Sequence, residues 1–306
     1  MRYRNLLLFC LLAAAWGSAF MAIKAGIGDT TAPAYFFDAP VLFAAVRYDI
    51  AGVLMLGYTV WAVDRWRPRT RSEWLLVAVG SVFLIAGYHA LLFIGERGTT
   101  SAAAAVIVSL SPILTTAFAR AFLPDERLTV VGIVGMVLAL AGVIIIARPA
   151  PANLIESRFE ALVFGATLCF AFGSVLTRRI ETDLPIETME AWSMLGGAAL
   201  MHALSAGLDE SVSGMPSPRA IAALAYLAVV ASAAGFLIYF DLLERLGPIE
   251  INLVSYVAPV FAALAGFLFL GELIDLPTAL GFLVILVGFV LIKRRAIREE
   301  LSRQGG

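Results

Sequence analysis

The chain has 306 residues, 61% of them hydrophobic and 15% charged, with a formal net charge of −1 and a mean hydropathy of +0.91. Soluble domains carry about 25% charged residues, and a protein this size cannot hide so much apolar area from water, so its solvent is lipid. The balanced charge excludes a basic nucleic-acid surface, while two cysteines in apolar runs (Cys10, Cys169) and two histidines exclude a disulfide framework and a Cys/His zinc site.

A bilayer core about 30 Å thick needs about 20 apolar residues per helix, and ten such stretches follow one another. The first, Asn5 to Ala25, places Trp16, Phe20 and Lys24 four residues apart on one face. The aromatic pair could stack on a substrate, with Lys24 nearer the outer mouth, or all three could be core and interface residues with Lys24 snorkelling. Met1–Arg4 with the apolar run behind it also resembles a signal peptide, a reading set aside because the second half contains a counterpart of this helix. The second stretch, Pro40 to Ala62, carries Arg47, which could meet a substrate carboxylate or an acid on another helix. Asp49 is two positions away and so faces elsewhere.

The third stretch, Trp74 to Ile94, holds Tyr88 and His89 at depth. A histidine there could accept a proton in a transport cycle or stay neutral and hydrogen-bonded in the core. The fourth, Ser101 to Leu123, carries Ser109, Ser111 and Pro112; the fifth runs from Leu128 to Ala147. The sixth runs from Glu160 to Leu176. The seventh, Ile186 to Gly207, contains Glu190, Trp192 and His202, and the eighth, Ala220 to Leu243, contains Tyr239 and Asp241; these are secondary candidates for the substrate pathway, with Asp241 expected near a membrane surface. In the ninth, Ile249 to Leu270, Asn252, Ser255, Tyr256 and Pro259 fall at i, i+3, i+4 and i+7 on one face. That stripe looks into a cavity or bonds a neighbouring helix. The tenth runs from Leu276 to Ile292, and 295–306 forms a cytoplasmic tail.

Basic residues set the orientation. With the N-terminus inside, 16 of the 22 Lys and Arg residues fall on one side and 5 on the other, with Arg47 within a span. Both termini are therefore expected in the cytoplasm of a multi-pass cell-membrane protein. Arg65–Arg71 and Lys293–Arg298 read as solvated anchors at that face.

The second five stretches repeat the first. Gly87 precedes Glu96-Arg97 by nine residues, as Gly235 precedes Glu244-Arg245. Pro112 precedes Asp125 by thirteen, as Pro259 precedes Glu272. Gly135 and Gly142 are seven apart, like Gly281 and Gly288. These glycine strips let backbones approach closely, as scaffold or as a homodimer interface. An odd number of spans per copy inverts the second copy in the membrane. Inverted repeats are a construction of secondary transporters, with substrate at the interface between copies. Paired helix interruptions point there too, which marks Pro112 and Pro259 as hinges, or else as packing kinks. The expected units are 1–148 and 160–294.

Trp16-Gly17-Ser18-Ala19-Phe20…Lys24, Arg47-Tyr48, and Ser255-Tyr256-Val257-Ala258-Pro259-Val260 followed by Leu270-Gly271-Glu272 resemble the EamA-type permeases of the drug/metabolite transporter superfamily. The likeness covers essentially the whole chain. Leu123-Pro124-Asp125-Glu126 departs from the family's usual Leu-Gly-Glu in the first copy. The resemblance implies an all-α membrane permease of ten helices in two inverted five-helix repeats, often an exporter of amino acids or related metabolites. No GxGxxG, Walker A, HExxH or GxSxG pattern appears, so no cofactor, metal or catalytic residue is expected. Energy would come from the substrate gradient or a coupled ion such as a proton. The competing readings are a membrane-embedded enzyme acting on lipid or prenyl substrates and a non-transporting sensor or assembly subunit. Neither has an obvious use for inverted symmetry.

Overall fold

The computed structural model describes residues 2–28, 30–122, 130–147, 154–212, 214–246, 251 and 253–304. Among these, ten helical rods follow in order: α1 (Arg2–Ile27), α2 (Pro40–Ala62), α3 (Arg71–Gly95), α4 (Ser101–Phe122) and α5 (Val130–Ala147), then α6 (Leu154–Arg179), α7 (Ile186–Gly207), α8 (Pro218–Leu246), α9 (Val254–Leu270) and α10 (Leu276–Gln304). Six of them are long and apolar enough to cross a membrane, and shorter apolar stretches lie in α5, α9 and α10. The tenth stretch extends beyond the apolar run because the residues after Ile292 are mostly good helix formers.

Local chemistry explains the helix starts. Pro40 and Pro218 sit in the first turns of α2 and α8, where a missing N–H costs nothing. Thr70 and Glu73 form a reciprocal capping box at α3, and Thr100 and Ser217 cap α4 and α8 with their hydroxyls. In α4 the run pauses at Ser109-Leu110 and restarts at Ser111, just before Pro112.

The packing repeats with the sequence. α1 lies on α9 as α6 lies on α4, α3 lies on α7 as α8 lies on α2, and α3 meets α6 as α8 meets α1. The pairs α2–α7, α5–α10 and α4–α9 map onto themselves. That pattern requires a pseudo-twofold relation between the copies. The glycine strips are the α5–α10 contact: a Cβ at Gly142 would stand 2.7 Å from the Gly281 carbonyl, and one at Gly281 would stand 2.6 Å from the Gly142 carbonyl. Their role in the monomer is scaffold.

Two stretches are wound more widely, as π-type helix: Gly80–Gly87 in α3 and Tyr226–Ala234 in α8. They occupy equivalent places in the two copies. Such segments release backbone carbonyls from the i→i−4 ladder and recur at functional sites.

Candidate functional site

The deepest polar group is built on α2, where Arg47 is 5% exposed and Tyr48 1%. Arg47 Nε donates to Ser232 Oγ at 3.0 Å, in the π-type segment of α8. Its guanidinium carbon lies 5.0 Å from the centroid of the Tyr48 ring and 5.9 Å from that of Phe93. Among the described residues no carboxylate pairs with Arg47, and its terminal nitrogens make no hydrogen bond to the protein. A guanidinium has five donors, so four remain for something else.

His89 stands beside this group. Its Nδ1 lies 2.9 Å from the Ile85 carbonyl and its Nε2 lies 2.6 Å from the Tyr48 hydroxyl. A carbonyl can only accept, so Nδ1 carries the proton and Nε2 accepts from Tyr48, a tautomer assigned from the network. His89 is thus buried and hydrogen-bonded at both ring nitrogens. Tyr88 is half-buried, with its ring 4.5 Å from His89 and 5.3 Å from Phe170 of α6. Glu190 of α7 is buried as well.

Trp16 reaches the neighbouring wall. Its indole Nε1 donates to the Ala231 carbonyl at 3.1 Å, a carbonyl of the π-type segment, and its ring lies 5.4 Å from Tyr239 and 5.7 Å from Phe236. Gly235 leaves room for it, since a Cβ there would stand 2.8 Å from Nε1. Ser18 Oγ shares a 2.6 Å hydrogen bond with the Tyr226 hydroxyl. Phe20 is buried in the main core.

Lys24 does not snorkel. It is 8% exposed, and its Nζ donates to the carbonyls of Glu96 and Thr99, each at 2.8 Å. These bonds tie α1 to the α3–α4 turn. Nearby, the Glu272 carboxylate accepts from Ser101 N at 3.1 Å, and Glu210 accepts from Val41 N at 3.1 Å and Leu42 N at 2.8 Å. The Glu96 side chain has no exposure, and neither carboxyl oxygen has a hydrogen-bond partner. Burial holds its carboxyl well above the usual carboxylate range; Lys24 opposes that shift and Glu272 reinforces it. Three side chains, those of Lys24, Glu272 and Glu210, thus cross-link this end of the bundle.

Other expected site residues lie apart from Arg47. Ser109 Oγ donates to the Val106 carbonyl and Ser111 Oγ to the Val108 carbonyl, both at 2.6 Å. These hydroxyls satisfy carbonyls at the break before Pro112. Pro259 sits inside an uninterrupted α9, where the Ala258 carbonyl faces Gly17 of α1. Ser255 is half-buried, and the Tyr256 ring packs on Phe289 of α10 at 4.1 Å, its hydroxyl unpartnered. Trp192 donates to the Trp66 carbonyl at 2.9 Å near the end carrying the termini. Asn252, Asp125 and the departure at Leu123–Glu126 lie outside the described residues. Sequence reasoning missed Ser232 and the Ala231 carbonyl; a lone serine in an apolar run was the signal for the first, and nothing signalled the second.

The model of the EamA-like transporter family matches residues 4–148 and again 158–294. The chain belongs to this family. Among its relatives, an uncharacterized transporter of Archaeoglobus fulgidus is 26% identical over 92% of this chain and 95% of its own length. The uncharacterized inner membrane transporter YedA of Escherichia coli K12 is 29% identical, with 95% and 92% covered. A solved crystal structure aligns with 97% of this chain and 99% of its own at a TM-score of 0.65 and 23% identity; at that identity it bears on the fold alone. The EamA member described here is therefore a multi-pass membrane transporter with an internal two-repeat helical fold.

Proposed function

We propose that the protein is a secondary transporter that exports or exchanges small organic metabolites bearing a carboxylate, such as amino acids, by alternating access between its inverted copies. It would sit in the cell membrane with both termini in the cytoplasm, which the basic-residue asymmetry supports. The carrying observation is Arg47, a buried cation with one neutral side-chain hydrogen bond, two aromatic neighbours and no ion-pair partner among the described residues. An uncompensated guanidinium inside a membrane span is expensive and marks a pathway; a bidentate carboxylate would satisfy it. The aromatic residues Trp16, Tyr88 and Tyr239 supply apolar walls for the rest of a ligand. The cross-links at the Lys24 end support a pose of the cycle that is closed there and faces the cytoplasm.

Flux into proteoliposomes from pooled metabolites, with and without a pH gradient, tests the reading. Arg47→Gln is expected to raise the half-saturating concentration of a carboxylate substrate about tenfold to a hundredfold, the worth of a charge-assisted pair. Arg47→Lys keeps the charge but loses the planar fork, so it recovers only part. Equal flux through Arg47→Gln and the parent would overturn the carboxylate reading.

A further inference from the structure

A second feature lies at the end that carries the termini. The α2–α3 turn, with Trp74 and Trp192, surrounds a cavity of about 550 Å³ lined by Trp66, Arg67, Pro68, Arg69, Trp74 and Trp192. Three of the five tryptophans in the chain meet here. The Trp192–Trp66 carbonyl bond fixes one wall, and Trp74 stands edge-on to Trp192 at 5.4 Å.

The arginines of this turn divide into two kinds. Arg65 is engaged: it pairs with Glu73 and donates to the Asp183 carbonyl at 3.1 Å. The Arg67 guanidinium carbon lies 5.7 Å from the centroid of the Trp66 ring, and among the described residues neither the Arg67 nor the Arg69 side chain has an ion-pair partner. Both line the cavity and both are exposed. The neighbouring outer surfaces of α2 and α3 are apolar, with Trp61 84% and Leu75 56% exposed.

We infer that this cavity binds the phosphodiester headgroup of an anionic phospholipid, with Arg67 and Arg69 on the phosphate and acyl chains along Trp61 and Leu75. Two exposed guanidiniums without an ion-pair partner among the described residues attract an anion, and guanidinium geometry suits phosphate oxygens. Indoles prefer the headgroup level, where one edge is wet and the other apolar. Basic pockets between membrane helices on the cytoplasmic side recognise such headgroups. The apolar surface beside the cavity selects a lipid over a free anion.

Native mass spectrometry of the full chain in detergent, after incubation with phosphatidylglycerol or phosphatidylcholine, tests this. Phosphatidylglycerol is expected to be retained preferentially. Arg67→Gln and Arg69→Gln should each lower its retention about fivefold, as expected for one basic residue at an anionic lipid surface. Arg71→Gln, exposed on the same turn but not lining the cavity, should leave retention unchanged. A parallel melting curve shows that each variant is folded. Unchanged retention in the Arg67 and Arg69 variants, an equal loss in Arg71→Gln, or displacement of the lipid by inorganic phosphate would each overturn the assignment.

Discussion

Glu96 and Glu244 hold matching positions in the two five-helix copies, yet Glu96 is sealed from water while Glu244 is exposed. Gly17 and Gly173 also match. Gly17 lets α1 close onto the Ala258 carbonyl of α9, whereas Gly173 packs beside Phe83 of α3 rather than on α4. Near-identical patterns therefore sit in unlike surroundings. In a molecule built from an inverted duplication, this asymmetry is what distinguishes one end from the other. On the alternating-access proposal, exchanging the two environments would give the opposite pose without any new kind of contact.

Breaking the shared scaffold has the largest expected effect. Gly142→Leu forces a side chain against the Gly281 carbonyl and Ile285 and should destabilise the protein by about 3 kcal/mol or more, the upper range for overpacking. A melting curve in detergent reads this directly.

Glu96→Gln sharpens the comparison next. On the proposed cycle the shut pose buries the Glu96 carboxyl and raises its pKa by desolvation; opening that end to water would return it to the ordinary range. The shut pose thus binds more protons, so lowering the pH favours it, by up to about tenfold per pH unit between the two values. Labelling of a cysteine placed at Ser101, which is fully buried at this end, in a background lacking Cys10 and Cys169, should fall as the pH drops. Glu96→Gln should abolish that slope, and Glu244→Gln should leave it intact. A slope that survives in Glu96→Gln would assign the effect elsewhere.

Smaller still, Trp16→Phe removes the bond to the Ala231 carbonyl while keeping a ring beside Tyr239. It should cost about 1 kcal/mol, visible as a modest drop in melting temperature. Glu244→Gln, on an exposed site, should change stability by no more than about 0.5 kcal/mol.

Much of this architecture was legible in residue order. Hydropathy located ten rods, and the spacing of Gly87, Pro112 and Gly135 against Gly235, Pro259 and Gly281 revealed the duplication. The seven-residue glycine spacing foresaw a close backbone contact, found between α5 and α10. The site was less legible, because in lipid nearly every helix face is apolar, so periodicity does not say which neighbour a face meets. Tyr256 shares a stripe with Ser255 and Pro259, but its ring turns to Phe289. The bonds of Ser109 and Ser111 to carbonyls of their own helix likewise have no signature in the spacing. The widened turns at Gly80–Gly87 and Tyr226–Ala234 left no signature beyond small residues, so the Arg47–Ser232 bond could not be foreseen.

The glycine seam of α5 and α10 joins elements contributed by different copies, with main chain against main chain. Such a clasp needs no covalent link between the copies in order to form. Two chains, one ending and the other starting between 148 and 158, should therefore assemble when co-expressed, and bulk at Gly281 should prevent them from finding each other.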